Sequence, residues 1–348
     1  MSEQQIKWQA DILGTGFEMA SFALHPDFEG RRITTIVRHL PEKDPEANNY
    51  AKLQHSSHAG INHAVKNLNS PQNTDAEKPR FAFLAIHGWN DYFYQIELAR
   101  AISALGGRFY AIDLSKYGRS HLPAQMWGYT TDLSFYDDDI HAARDAIYSE
   151  LPADTPFILY GHSTGGLTAS LWADRHPGAL TGLVLNSPWL EIQAATAVRQ
   201  ASHPAIEVLS RLDPTTVIPS TDNGFYQRAL TGNHLDDPLI DTESDPHNDP
   251  FFTDGWQPDT QYRHFPSFPV RAGWLNAILR GHERVAQGLN ITAPVLTLTS
   301  TRSYSGSSEW SFEQLSTDAV LRVDQIWKRC LNLTNSLTLE KSQTQFTT

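Results

Sequence analysis

The residues most suited to chemistry are 161–165, which read Gly-His-Ser-Thr-Gly. This Gly-x-Ser-x-Gly pattern follows a short apolar run at 157–160 and precedes a helix-compatible segment that begins at Leu167. A serine on a sharp strand-to-helix turn exposes its Oγ, and flanking glycines remove side chains that would clash in the bend. The helix N-terminus adds unbonded N–H groups and a positive dipole end, which suit a developing oxyanion. We therefore predict that Ser163 is a nucleophile; the alternative is a glycine-rich loop without chemistry.

A second candidate element is 87–90, His-Gly-Trp-Asn, which directly follows the apolar run 81–86. Glycine at its second position permits close backbone approach. The N–H groups of Trp89 and Thr164 could then bind one oxygen, as an oxyanion hole requires. An ordinary turn is the alternative. The glycine-bearing turn at 113–120 is expected to have a structural role rather than a chemical one.

Composition narrows the classes of protein to which the chain can belong. Its 348 residues suffice for one large core, or for a core with an inserted subdomain. The net charge of −12 argues against nucleic acid or an anionic membrane surface as the main partner. Cys330 is the only cysteine, so a disulfide scaffold is excluded. No run is long and apolar enough to span a membrane, and no signal-peptide pattern is present, so the expected location is cytoplasmic.

Alternating strand and helix patterns surround the two motifs. Strands are predicted near 31–40, 81–86, 109–112, 157–160, 183–185, 294–298 and 336–339. Apolar residues recur at helical spacing over 98–105, 136–147 and 167–172. Strands that alternate with helices predict an α/β fold with a doubly wound, mostly parallel sheet.

Two stretches interrupt this alternation. Residues 41–79 are polar with little periodicity, and we interpret them as a surface insertion. Residues 189–288 are rich in Pro, Asp, His and aromatic residues and lie between two predicted core strands. We predict that they form a helical cap, with the core made of 1–188 and 289–348. Ligands bind at the carboxyl ends of strands in open parallel sheets, which is the edge that such a cap would cover.

Taken together, the motifs resemble the monoacylglycerol lipase and lysophospholipase-like branch of the α/β-hydrolases, often grouped with serine aminopeptidases. The resemblance covers residues 81–339 and is carried by His-Gly-x at 87–89, Asp-x-x-x-x-Gly-x-Ser at 113–120 and Gly-His-Ser-x-Gly-Gly at 161–166. It implies an eight-stranded sheet, a helical lid, no metal and no organic cofactor. It also implies that the oxyanion-hole segment directly follows a core strand, as 87–90 does.

The resemblance further implies an acid and then a histidine later in the chain. Asp318, followed by Ala-Val-Leu, best matches the expected acid after the cap; Asp324 is the second candidate, and a solvated carboxylate is the alternative for either. The family's histidine follows the last strand, yet no histidine occurs after His282. We therefore expect a chain that is truncated or frameshifted near Ser342, with the triad histidine missing.

No other histidine is an obvious substitute. His162 adjoins the nucleophile, but a neighbour in such a turn normally points away from the Oγ. His282 lies on an apolar helical face, which is typical of a core histidine. His234, His247 and His264 stand among aspartates, but they lack a His-x-x-x-His spacing and any cysteine ligand. A solvated acidic loop is the preferred interpretation, and no metal is expected.

The predicted function is hydrolysis of a carboxylic ester through an acyl-enzyme on Ser163, with Asp318 orienting a histidine and Trp89 and Thr164 binding the oxyanion. The substrate stays open among monoacylglycerol, lysophospholipid, small acyl esters and an N-terminal peptide bond. Aromatic residues of the predicted cap could line an acyl pocket or form the cap's own core: Phe225, Tyr226, Trp256, Tyr262, Phe265, Phe268 and Trp274. Two alternatives stay open, a catalytically impaired or non-catalytic binding protein and a truncated product of an active enzyme's gene.

Overall fold

The structure, a computed structural model, describes residues 6–54, 79–192, 196–219, 230–231, 255–304, 313 and 316–342. The strands in these ranges are β1 (Gln9–Ala10), β2 (Phe17–Asp27), β3 (Gly30–His39), β4 (Phe81–Ile86), β5 (Gly107–Asp113), β6 (Phe157–His162), β7 (Gly182–Asn186), β8 (Val295–Ser300) and β9 (Leu337–Ser342). The α-helices are α1 (Ile96–Ala104), α2 (Asp137–Glu150), α3 (Thr164–Arg175), α4 (Thr196–Leu212), α5 (Ala272–Gln287) and α6 (Val323–Cys330). Short 3-10 helices cover Ala47–Gln54, Gly118–Ser120 and Leu133–Tyr136.

All nine strands of the described ranges form one sheet, in the order β1-β2-β3-β5-β4-β6-β7-β8-β9. The pairs from β5 to β9 are parallel, and those from β1 to β5 are antiparallel. The predicted α/β class with a mostly parallel sheet is confirmed. The chain adds β5 on one side of β4 and β6 on the other, so the winding direction switches at β4. Sheets of this kind bind ligands in the crevice outside the carboxyl ends of the strands at such a switch point.

Both faces of the central strands are buried, as the continuous apolar run at 81–86 predicts. In β4, Ala82, Leu84 and Ile86 join a large apolar cluster with side chains of α2, α3 and α5. The alternate residues, Phe83 and Ala85, join a second cluster with α1 on the opposite face. Burying a large apolar side chain stabilises the fold by about 1.5–3 kcal/mol, so the helices are held to the sheet mainly by these two clusters.

The sheet differs from the sequence-based expectation in its first strands. The implied count of eight strands is wrong, because the two-residue β1 pairs with β2 at the edge to give nine strands in the described ranges. β2 was not expected from the sequence; after Ala20 its residues are half-buried or exposed, and several of its side chains are polar. β2 forms a hairpin with β3 through a turn at residues 28–29, and Gly30, the first residue of β3, has a φ of 99°.

The predicted insertion and cap are described in part. Residues 55–78 lie outside the described residues, whereas Asp44, within the predicted insertion, is buried and bonded to Arg100 at 2.7 Å. Within the predicted cap, the inner face of α5 packs into the same cluster as the sheet. The division into core and cap stays a prediction. Among the helices that the structure describes, none is both long enough and apolar enough to cross a membrane.

Candidate active site

Ser163 lies at the junction of β6 and α3, as the sequence predicts. Its φ of 52° and ψ of −118° are unusual for a residue with a side chain. Its N–H donates to the Asn186 carbonyl at 3.1 Å, and its carbonyl accepts from Gly166 at 3.0 Å and Trp189 at 2.9 Å. The helix begins at Thr164 rather than at Leu167, directly after the strained residue. The surrounding backbone therefore enforces the sharp turn.

The glycines around Ser163 are required by close backbone contacts. A Cβ on Gly161 would lie 2.5 Å from the Gly165 carbonyl oxygen, and a Cβ on Gly165 would lie 2.2 Å from the His87 carbonyl oxygen. A Cβ on Gly166 would lie 2.7 Å from the Pro188 side chain. Since real Cβ atoms do not approach backbone oxygens so closely, glycine at these positions lets α3 pack against the residues that follow β4.

The predicted oxyanion segment lies beside Ser163. A Cβ on Gly88 would stand 3.3 Å from the Ser163 Cβ, which is closer than ordinary van der Waals contact, so the two backbones approach closely. Within the described part of the chain, neither the Trp89 N–H nor the Thr164 N–H donates to a protein acceptor. Both amides are thus available to an oxygen of a substrate. Their convergence on one oxygen stays a prediction.

Aromatic residues of the predicted cap pack on core residues near the site. Rings of Phe268 and Trp274 lie 4.5 and 3.8 Å from that of Trp89, and both residues are buried in the main cluster. Trp256 and Tyr262 pack instead against buried tyrosines after β4. These contacts favour the packing interpretation for all four residues. Phe265 is 59% exposed, and Phe225 and Tyr226 lie outside the described residues.

Asp318 is buried at the carboxyl edge of the sheet, beyond β8. Its Oδ1 accepts from the N–H groups of Val320 at 2.9 Å and Leu321 at 2.6 Å. Burial raises the pKa of Asp318, and hydrogen bonds from these amides and the Ser187 side chain oppose that rise. The second candidate, Asp324, is exposed on α6 and bonded to a neighbouring arginine at 3.1 Å. The geometry therefore favours Asp318 of the two.

Strand register brings the acid and the serine to the same edge. β6 and β7 pair His162 with Asn186, so the next residues, Ser163 and Ser187, lie side by side. The Ser187 side chain in turn lies close enough to the Asp318 carboxyl to oppose the rise of its pKa. No sequence motif marks Ser187, although its place directly after β7 could have indicated a position at the site.

No histidine ring hydrogen-bonds the Ser163 Oγ among the residues that the structure describes. The His162 Nδ1–H donates to the Asn186 carbonyl at 3.2 Å, and burial lowers the pKa of His162 to about 4. The His282 Nε2–H donates to the Trp189 carbonyl at 2.9 Å, which confirms its interpretation as a core histidine. Both rings are therefore engaged with backbone carbonyl groups.

The remaining histidines near the site have structural contacts. His87 donates through Nδ1 to the Gly88 carbonyl at 2.8 Å and accepts at Nε2 from Leu114 at 3.1 Å. The His264 ring packs on that of Trp127 with centroids 4.5 Å apart. His234 and His247 lie outside the described residues; in the ranges that are described, no three His, Cys, Asp or Glu side chains form a group that could hold a metal ion.

The turn after β5 has the structural role that the sequence predicts. Asp113 is fully buried and accepts from the Phe93 N–H at 2.9 Å and from the Arg119 N–H and guanidinium at 2.9 Å each. The same guanidinium pairs with Asp11 at 2.6 Å. This network holds Asp11, the residues after β4 and the turn after β5 together.

Comparison with known proteins supports the arrangement. A sequence model of the family described as "Serine aminopeptidase, S33" matches residues 77–303, a range that includes both glycine motifs. Human monoglyceride lipase is 26% identical over 205 residues, which are 58% of this chain and 64% of the human protein. The match therefore spans less than two thirds of that relative's length.

Solved structures of low sequence identity share the fold. A soluble variant of monoglyceride lipase from Saccharomyces cerevisiae superimposes with a TM-score of 0.54 at 13% identity, covering 97% of this chain and 85% of that one. A carboxyl esterase from Bacillus coagulans gives a TM-score of 0.55 at 15% identity, covering 93% and 89%. At such identities the likeness shows the fold alone.

Proposed function

Because this chain belongs to the S33 serine aminopeptidase family of α/β-hydrolases, we propose that it is a serine hydrolase that cleaves carboxylic esters. The observation that supports this most directly is the backbone of Ser163, a non-glycine residue at φ 52° between β6 and α3. Strain of this kind persists only where the surrounding structure enforces it, and it concentrates at sites of chemistry. Ser163 also lies beside the switch point of the sheet, where ligands bind.

In the proposed reaction, Ser163 Oγ forms a bond to the ester carbonyl carbon while its proton passes to a base. The bond to the leaving alcohol then breaks, the alcohol departs with that proton, and water cleaves the acyl-enzyme. The N–H groups of Trp89 and Thr164 bind the oxyanion. One such donor contributes on the order of 10²- to 10³-fold in turnover.

Asp318 is the proposed acid of this site. Its carboxyl is buried, is held by two backbone N–H groups and reaches Ser187, the residue beside Ser163. A carboxylate held in this way can fix the orientation of a histidine base and stabilise the imidazolium that forms. In the described residues that base is not joined to Ser163 by a hydrogen bond, so its source is part of the test below.

The proposed substrates are esters with an apolar acyl group, such as monoacylglycerols or small acyl esters. The human relative is a monoglyceride lipase, and two half-buried tryptophans have their backbones near Ser163: Trp89 follows Gly88, and the Trp189 N–H donates to the Ser163 carbonyl. Apolar surface at this place suits an acyl chain better than the charged amino group of a peptide substrate. Lysophospholipid and an N-terminal peptide bond are the alternatives. The cytoplasmic location stays a prediction.

Hydrolysis of p-nitrophenyl acetate and butyrate by the purified chain tests the proposal. We expect turnover that is lost in Ser163→Ala and retained in Ser149→Ala, a matched exposed serine on α2. The assay is run with and without added imidazole, which can act as the base in solution. Absence of Ser163-dependent turnover under both conditions would overturn the proposal.

A second candidate is a base-deficient or non-catalytic hydrolase-fold protein. It is favoured by the lack of a hydrogen bond between a histidine and Ser163 in the described ranges. Turnover that needs imidazole and is lost in both Ser163→Ala and Asp318→Ala would indicate a base-deficient hydrolase. Binding of a butyrate ester without any turnover would indicate a binding protein.

A further inference from the structure

The residues directly after Trp89 are hydrogen-bonded to the 255–271 segment, which follows much later in the chain. The Asn90 side-chain amide donates to the His264 carbonyl at 2.8 Å, and its carbonyl oxygen accepts from the His264 N–H at 3.1 Å. Asn90 itself has a φ of 52°. One side chain thus pairs with both backbone groups of a single residue, which fixes the two segments relative to each other.

A buried ion pair lies next to this amide pairing. The Arg263 Nη1 donates to Asp91 Oδ1 at 2.8 Å and to the Asn90 carbonyl at 3.0 Å. Arg263 is 4% exposed and Asp91 is 2% exposed. A buried pair contributes little net stability, but any arrangement in which one charge loses its partner is strongly disfavoured. The pair therefore favours one backbone position at Asn90.

A third contact extends the docking along the same segment. The Tyr92 hydroxyl accepts from the Asp259 N–H at 2.7 Å, and its ring lies 5.2 Å from that of Tyr262. Tyr92 is 1% exposed, so this hydrogen bond is shielded from water. Three successive residues after Trp89 are thus held by the 255–271 segment.

We propose that Arg263 is a positioning residue that holds the Trp89 N–H in place for the oxyanion; this rests on the function proposed above. Trp89 is held from three directions. The preceding residue, Gly88, lies so near Ser163 that a Cβ there would crowd it, the Trp89 ring lies 3.8 Å from the Trp274 ring, and the Asn90 carbonyl accepts from Arg263. Loss of the guanidinium frees that carbonyl and leaves the Asp91 charge buried without its partner. The backbone at Trp89 and Asn90 then samples positions in which the N–H no longer faces the reacting oxygen.

Hydrogen–deuterium exchange tests the positional part without requiring activity. Arg263→Ala is compared with Arg280→Ala. Arg280 lies on α5, away from the segment after β4, and forms an exposed ion pair with Asp132 at 2.9 Å. We expect amides 87–94 to exchange at least about tenfold faster in Arg263→Ala only. If Arg263→Ala does not fold, Arg263→Lys and Asn90→Gly, which keeps the positive φ accessible, replace it. Unchanged exchange at 87–94 in every folded variant would overturn the proposal.

Kinetics with paired substrates test the functional part. An ester and its thionoester differ in the atom that enters the oxyanion hole, and sulfur accepts hydrogen bonds weakly. We expect Arg263→Ala to lower kcat for the ester by about 10- to 100-fold with KM nearly unchanged, and to affect the thionoester far less. Partial recovery in Arg263→Lys would support a positional role. Equal losses on both substrates would contradict the proposal, whereas wild-type protein without turnover would instead reject the proposed function.

Discussion

Replacing Ser163 by glycine should stabilise the protein while removing its proposed nucleophile. At φ 52° and ψ −118° the serine backbone lies where only glycine is comfortable, and such strain costs about 1–3 kcal/mol. Glycine also makes the unfolded chain more flexible, which costs about 0.5–1 kcal/mol. The difference predicts a net gain of about 1 kcal/mol. Ser163→Ala keeps the strain, so its free energy of unfolding should stay near that of the wild type.

Urea denaturation at a fixed pH measures this difference, with the wild type, Ser163→Gly and Ser163→Ala compared side by side. Ala101→Gly, inside α1, calibrates the sign, because glycine in an ordinary helix should destabilise by about 1 kcal/mol. If Ser163→Gly were less stable than Ser163→Ala by a similar amount, Ser163 would not be strained. The backbone of Ser163 would then not mark a site of chemistry.

Three further substitutions test the packing and charges around the site. Gly165→Ala should lower the free energy of unfolding by about 3 kcal/mol, because its Cβ would lie 2.2 Å from a backbone oxygen. Gly182→Ala is the control and should be near neutral, since the nearest atom to its Cβ is 4.0 Å away. Equal urea midpoints for the two variants would contradict this. Burial raises the pKa of Asp139 to about 6. The protonated carboxyl therefore favours the folded state, and this contribution to the free energy of unfolding is lost as the pH rises from about 4 through about 6. Asp139→Asn cannot ionise, so its free energy of unfolding should rise relative to that of the wild type over this pH window. A difference that does not change with pH would contradict this. Arg119→Ala should cost about 3–5 kcal/mol because two buried carboxylates lose their partner, while the exposed Arg280→Ala should cost under about 1 kcal/mol by the same denaturation assay.

Local sequence signals predicted the parts of the fold that depend on short stretches of chain. The run 81–86 coincides with β4, and the glycine spacing around Ser163 located the strand-to-helix turn. Both signals are local because a doubly buried strand needs apolar residues on each face and a sharp turn needs small neighbours. The strand β2 was missed since its exposed face carries polar residues that weaken the strand pattern.

The contacts that position the site were beyond the reach of the sequence. Arg263 and Asp91 are 172 residues apart, and neither belongs to a motif that would suggest a buried ion pair. Ser187 meets Asp318 only because β7 and the residues after β8 share an edge of the sheet. Such pairings depend on strand order and register, which follow from the assembled sheet rather than from local spacing.

The most direct test of the central claim is to locate the covalent adduct that a phosphonylating reagent forms on the protein. The purified chain is incubated with a fluorophosphonate, with and without imidazole, digested and analysed by mass spectrometry. The account predicts one adduct per chain, on the peptide that contains Ser163, and no adduct in Ser163→Ala. An adduct on another residue, or none under either condition, would contradict the assignment of Ser163 as the nucleophile.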